Sequence, residues 1–260
     1  MSDTLTYVYA VARDVAPAAV AGLEGLGGRP VRTVEHGGVT AVVSDADRAE
    51  FQERALEERL EDLEWLAATA RAHHHVVDTL GRDHLVAPLG LATVYFDDER
   101  VRAVLEESAE TFSAVLDRLD GRAEWGLKVY ARKGRPDAAG PEAEKPRSGA
   151  DYLRRRRKAL REGDTTLEDA RQAAAEVDAV ASALAAATRS HRLQDAQLSG
   201  QSDPMVLNQA YLLPVERADE LRAVVASYQD HPNMRVELTG PWVPYSFAAA
   251  ASSSSEGSAP

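Results

Sequence analysis

Twice along this 260-residue chain the spacing of apolar residues switches from every second position to a helical period and back, which restricts it to folds that lay helices on a sheet. The first instance begins at Val86: "VAPLGLATVYFDDERVRAVLEESAETFSAVLDRLDGRAEWGLKVYAR". Here Pro88 is expected to start a strand and Asp97 or Asp98 to cap a helix. Val101, Val104, Leu105, Phe112, Val115, Leu116 and Leu119 form the inward face of that helix, and Asp120-Gly121 turns the chain into a second strand. The second instance runs through "VLNQAYLLPV", "RADELRAVVASYQD" and "MRVELTG", with Leu221, Val224, Val225 and Tyr228 inward. Two strand–helix–strand units joined through a helical insertion predict a ferredoxin-like arrangement.

Upstream, "LTYVYAV" reads as a strand, "PAAVAGLEGL" as a short helix ending at Gly27-Gly28, and "VRTVEHGGVTAVVSDA" as a hairpin turning at Gly37-Gly38. From about Phe51 to Leu80 a long helix is expected, with Leu56, Leu60, Leu63, Ala67, Ala70, His74 and Val77 in one stripe and Gly81 closing it. The expected fold is α+β in two domains. Residues 1–84 form an N-terminal β-α-β-β unit with the long helix, residues 85–247 a ferredoxin-like domain with a loop and helical insertion at about 133–200, and residues 248–260 a disordered tail. Within the insertion, "KGRPDAAGPEAEKPRSG" reads as a mobile loop and "DYLRRRRKALRE" as a basic helix that breaks at Gly163. Thr165 with Glu168 then opens another helix, whose narrow seam is Leu167, Ala170, Ala174, Val177, Ala181, Leu184 and Thr188.

Net charge is −12, which argues against general nucleic-acid or anionic-membrane binding. The chain has no cysteine, so disulfides, thiolate metal sites and cysteine nucleophiles are excluded. Its first residues, "MSDTLTYVYA", lack the basic and apolar regions of a signal peptide, and no uncharged run reaches the roughly 18 residues of a membrane span. A cytoplasmic protein is expected.

His73-His74-His75 has the composition of a metal site but not the geometry, since consecutive helical residues point about 100° apart. His73 is expected to be packed and hydrogen-bonded on the inner face. "GLEGLGG" matches no phosphate-loop spacing, and neither H-E-x-x-H nor G-x-S-x-G occurs. No catalytic residue, cofactor or metal is expected, and the chain reads as a non-enzyme.

Two stretches are candidates for partner binding. Arg154, Arg155, Arg156, Arg157 and Lys158 make a helix basic all round, set against the acidic segment 45–64, where nine carboxylates face three arginines. At the other end of the chain, Trp242, Tyr245 and Phe247 in "MRVELTGPWVPYSF" either cover the protein's own core or form a contact surface. Gly240-Pro241 is expected to end the preceding strand.

The stretches "LTYVYAV", "AHHHVVDTLGRDHLVAPLGLATVYFDDERV", "EWGLKVY" and "YLLPV" through "VELTGPWVPYSF" resemble the gas vesicle protein family F/L in order and spacing. The ending "TGPWVPYSF" is the most specific of them, being close to the family's "GPWPPYSF", and "SGADYLRRRRKAL" matches its G-x-YL start of a basic helix. The sequence departs from the family at "PLGLATVY", where Gly90 replaces an arginine and Ala92 a glycine. The resemblance implies a two-domain α+β accessory protein of gas vesicles, not an enzyme, that takes part in vesicle assembly. Its implied partners are the gas vesicle shell protein and other accessory proteins, with no nucleic acid or membrane and with self-association open. Readings from other classes are a metabolite-binding regulator on a ferredoxin-like scaffold and a nucleic-acid module using residues 154–158. A deep polar pocket with converging donors would favour the regulator.

Overall fold

The computed structural model describes residues 3–132, 149–194 and 203–248. The chain divides into two compact units, one made of Met1–Ala123 with Trp242–Pro260 and the other of Glu124–Pro241. This differs from the expected boundary at residue 84, and the pairing of strands explains why.

In the first unit the central strand is β1 (Thr4–Ala12), whose sequence is apolar on both alternations and buried from Leu5 to Ala12. It pairs antiparallel with β3 (Val39–Asp47), which continues from β2 (Arg32–His36) through a turn at Gly37 and Gly38. Both glycines have positive φ, 60° and 83°, as a two-residue hairpin turn demands. The expected strand after Val86 is two short ones, β4 (Val86–Pro88) and β5 (Val94–Tyr95), and both pair with β1. Pro88 therefore ends a strand, and Ala92, at φ 64°, lies in the turn that follows. Because these strands complete the first sheet, residues 85–123 belong to the first unit.

The long helix expected over 51–80 is three: α1 (Arg48–Phe51), α2 (Glu53–Glu61) and α3 (Leu63–Gly81). Asp62 breaks the run, its carboxylate accepting the backbone N–H of Glu64 and Trp65 at 3.0 and 3.2 Å and so capping α3. The helix expected before Gly27 is only two 3₁₀ turns, Pro17–Val20 and Leu26–Gly28. The helical run after Asp97 is interrupted at Ser108, giving α4 (Asp98–Glu107) and α5 (Ala109–Leu119), and Asp97 caps the first at 2.8 Å from Arg100 N. The core beside α3 gathers Tyr7, Tyr9, Val42, Phe51, Val76, Val77 and Leu80.

The second unit runs β6 (Arg122–Ala131), α6 (Gly149–Leu184), β7 (Ala187–Ser190), β8 (Met205–Pro214), α7 (Ala218–Ala226) and β9 (Met234–Trp242), with sheet order β7-β8-β6-β9. Trp125, Leu127, Val129 and Ala131 recur at the strand period in β6 and pack against Ala170, Ala174, Val177 and Ala181 of α6 and Leu221 and Val225 of α7. Segment 149–184, expected as part of an insertion, is thus the crossover helix of this unit. It runs through Gly163 without a break, and Thr165, expected at an N-cap, donates its hydroxyl back to the Arg161 carbonyl at 2.9 Å. Thr188, expected on the helical seam, is in β7, paired with Tyr211. β9 continues to Trp242, past the proline expected to end it, and Gly240 is needed inside it: φ is 124°, and a Cβ there would lie 2.8 Å from the Glu124 carbonyl oxygen. The expected loop 133–148 and tail 249–260 lie outside the described residues.

Candidate functional site

Strand alternation places Tyr7 and Tyr9 on one face of β1 with ring centroids 4.8 Å apart, and α3 lays His73 against both, 5.7 and 5.6 Å away. Phe51 and Trp65 extend the cluster. The Tyr7 hydroxyl accepts the Ala92 N–H at 3.1 Å and stands 2.8 Å from His73 Nδ1. The Nδ1 edge of His73 is thus hydrogen-bonded, while its buried Nε2 has no hydrogen-bond partner among the described residues. The Tyr9 hydroxyl accepts the Leu26 N–H at 2.8 Å and pairs with Ser44 Oγ at 2.7 Å. Burial, reinforced by the neighbouring His74 charge, pulls the His73 pKa down to about 4. Burial likewise raises Tyr7, Tyr9 and Tyr245. The cluster is therefore uncharged near neutral pH, whereas acid–base work wants a pKa close to the operating pH.

Over this cluster runs a C-terminal strap. Its Val243 crosses the end of α3 so closely that a Cβ on Gly81 would lie 2.4 Å from Val243 Cγ2. Gly81 thus serves clearance for the strap as well as closing the helix. Tyr245 rests on His73 and His74, each with ring centroids 6.0 Å away. Phe247 is buried in the C-terminal helical turn Tyr245–Ala248, and Arg118 of α5 donates to its carbonyl oxygen. Trp242 is 47% exposed, with its ring centroid 6.4 Å from that of exposed His74.

Of the residues singled out from sequence, Tyr245 and Phe247 are thus part of a lid on the first unit's core, and Trp242 alone of the three lies open. Arg154, Arg156 and Arg157 are exposed on α6, whereas the side chains of Arg155 and Lys158 lie outside the described residues. His73 is buried while His74 and His75 are exposed, so the triplet does not converge. Among the described residues no three histidine, aspartate or glutamate side chains gather as a metal site.

Sequence reasoning missed the ion cluster that ties β2 to α4. Arg32 donates to both carboxylate oxygens of Asp98, at 3.1 and 2.8 Å, and lies 2.9 Å from Asp45, while Thr6 donates to Asp98 at 2.9 Å. The Arg32 guanidinium holds the Asp98 carboxyl below its ordinary range. The only local signal was Asp98 as a candidate cap; its arginine partner is 66 residues away. This cluster floors an open depression of about 550 Å³ edged by Arg48, Phe96, Asp97 and Glu99. The Arg32 donors are already engaged and carboxylates crowd the rim, so this is not the set of converging donors that a small-ligand site requires. A second depression, of about 470 Å³, lies against the β2–β3 hairpin turn.

What the chain presents is surface, rings and charge, on two compact α+β units; among the described residues no helix is long and apolar enough to cross a membrane. The chain belongs to the gas vesicle synthesis protein GvpL/GvpF family, which it matches over residues 5–249. It is 44% identical over 256 residues to gas vesicle protein L of a Streptomyces species, covering 96% of this chain and 95% of that one. Gas vesicle protein F of the same organism is 28% identical over 255 residues, with 93% and 98% covered. The crystal structure of GvpF from an Anabaena species superposes with a TM-score of 0.66 at 18% identity, over 94% of this chain and 96% of that one. GvpF from Microcystis aeruginosa gives a TM-score of 0.63, also at 18% identity, over 94% and 98%.

Proposed function

We propose that this chain is an accessory protein of gas vesicle assembly, acting by contact with the shell protein and other accessory proteins rather than by catalysis. The observation that carries this reading is its 44% identity, nearly end to end, to gas vesicle protein L. Physically, a subunit destined to face gas is apolar on one side and needs that surface covered before it meets its fellows. An acidic body of net charge −12 keeps such a complex dispersed. The second unit's order, β-α-β-β-α-β, is that of a ferredoxin-like scaffold, and it serves here as a rigid support rather than a ligand site.

Trp242 is the contact residue we favour. It is an exposed ring held by a strap whose next two aromatics are locked into the core, so little side-chain freedom is lost when a partner covers it. The test is co-purification from cells expressing the shell protein and the other accessory proteins. The expected result is that wild type retains shell or accessory protein and that Trp242→Ser retains about tenfold less, the loss of a modest interfacial hot spot. Recovery of neither class of partner by the wild type would overturn the proposal.

A further inference from the structure

The inward register of α6 does not stop where the sheet stops. Seven and fourteen residues before Leu167, which packs on the second unit's core, stand Leu160 and Leu153, and side chains seven apart on a helix share a face to within about 20°. Leu160 is 61% exposed and Leu153 52%. Every described side chain from Leu153 to Thr165 is exposed; Arg157 lies between the two leucines on the same face, Asp164 follows Leu160 on it, and Arg161 stands beside them. The first turns of α6 thus form an overhang about 25 Å long, with two leucines set among basic residues. A helix of that length standing alone is marginal in water, so covering that face would stabilise it.

The opposite pattern occurs in the first unit. Leu60 and Leu63, at the junction of α2 and α3, are 44% and 78% exposed, and Glu57, Glu58, Glu61, Asp62 and Glu64 around them are exposed as well. Both segments present two leucines about a turn or two apart, and their flanking charges are opposite in sign. Segment 147–161 holds seven basic residues against one aspartate, and 45–64 nine carboxylates against three arginines. We propose that the α6 overhang of one copy docks on the Leu60–Leu63 junction of a second copy, so that chains associate head to tail. The two patches differ, so after pairing each copy keeps one patch free, the pair as a whole one of each, and association continues into a ring or an open string. The contact is far smaller than the roughly 1,600 Å² of a standard stable interface, which makes it weak, concentration-dependent and sensitive to salt.

The test is sedimentation of the full chain from about 10 to about 300 µM, in about 50 mM and about 500 mM salt, conditions between which the screening length falls severalfold. The expected result is a mean mass that rises with concentration at low salt and much less at high salt. Leu153→Ser/Leu160→Ser and Leu60→Ser/Leu63→Ser should each weaken association at least about tenfold, with melting temperatures close to wild type because all four side chains are substantially exposed. The decisive experiment mixes the two variants. Each retains the patch the other lacks, so the mixture should form a dimer and stop there, while neither variant associates alone. A wild type that stays monomeric throughout, as it would if the overhang docked on its own chain or on an acidic helix of another protein, overturns the proposal. Persistence of association in both variants overturns it equally.

Discussion

At the scale of single residues, His73 ties stability to pH. Its imidazole is 3% exposed among Tyr7, Tyr9 and Tyr245, and burial with the nearby His74 charge lowers its pKa from 6.5 to about 4. The neutral form is thus favoured in the folded protein. As pH falls from 6.5 towards 4, the unfolded chain takes up a proton that the folded chain refuses, so stability present above 6.5 drains away across that window. The full shift corresponds to about 3 kcal/mol, fixed by the 1.36 kcal/mol of each pKa unit. Asp98 acts in a different window: Arg32 holds its pKa below 3.8, so its contribution is lost only under more acidic conditions. Denaturant titrations at several pH values should therefore show His73→Phe losing about 2 kcal/mol less than wild type on going from pH 6.5 to pH 4. Parallel pH profiles for the two proteins would show that His73 is not the titrating group.

At the scale of elements, the strap depends on a missing methyl group. Gly81 ends α3 where Val243 crosses it, and a Cβ there would sit 2.4 Å from Val243 Cγ2, too close for both to remain. Gly81→Ala should cost about 1–3 kcal/mol by overpacking, although alanine is otherwise the better helix residue. Val243→Ala removes the colliding methyl, so the double variant should recover most of the loss attributed to Gly81→Ala; a strictly additive cycle would mean the strap does not press there. The same region shows what was legible in sequence. The rings of "PWVPYSF" left two readings open, a lid on the protein's own core or a contact surface, because rings of that size bury area in either. That the lid closes on α3, with Trp242 left outside, depends on packing between segments about 160 residues apart, which no local pattern encodes. Hairpin glycines and strand alternation were readable because their signals are local. The breaks at Asp62 and Ser108 were not, and the stripe read across the first of them was misplaced: Leu60, Leu63, Ala67, Ala70 and His74 are exposed, and α3 instead buries Thr69, His73, Val76, Val77 and Leu80. Gly163 misled in the converse sense: helix propensity penalises glycine by about 1 kcal/mol, which a long helix anchored by Ala170 to Leu184 absorbs.

At the scale of the whole molecule, the second unit is one uninterrupted stretch of chain, Glu124–Pro241, set within the sequence of the first. Its ends leave through β6 and β9, which are neighbours in the sheet; Thr239 Oγ1 donates to the Gly126 carbonyl at 3.4 Å, and a Cβ on Gly126 would lie 2.8 Å from that hydroxyl oxygen. A contiguous segment whose two ends lie on adjacent strands closes on itself without the rest of the chain. Its core of Trp125, Leu127, Val129, Tyr211, Leu213, Leu221 and Met234 is drawn wholly from its own residues. The first unit lacks this independence, because Val243 and Tyr245, which pack on its core, the latter resting on His73, arrive only after the second unit in the sequence. A fragment spanning residues 122–242, both strands kept whole, should therefore fold alone, with a cooperative thermal transition that Leu127→Ala lowers by the usual cost of a core truncation, about 2–5 kcal/mol. A chain ending at Pro241 should retain that transition while the first unit is destabilised by the loss of its strap. If the 122–242 fragment melts without a cooperative transition, the second unit is not self-sufficient, and its sheet depends on the surrounding chain for more than covalent connection.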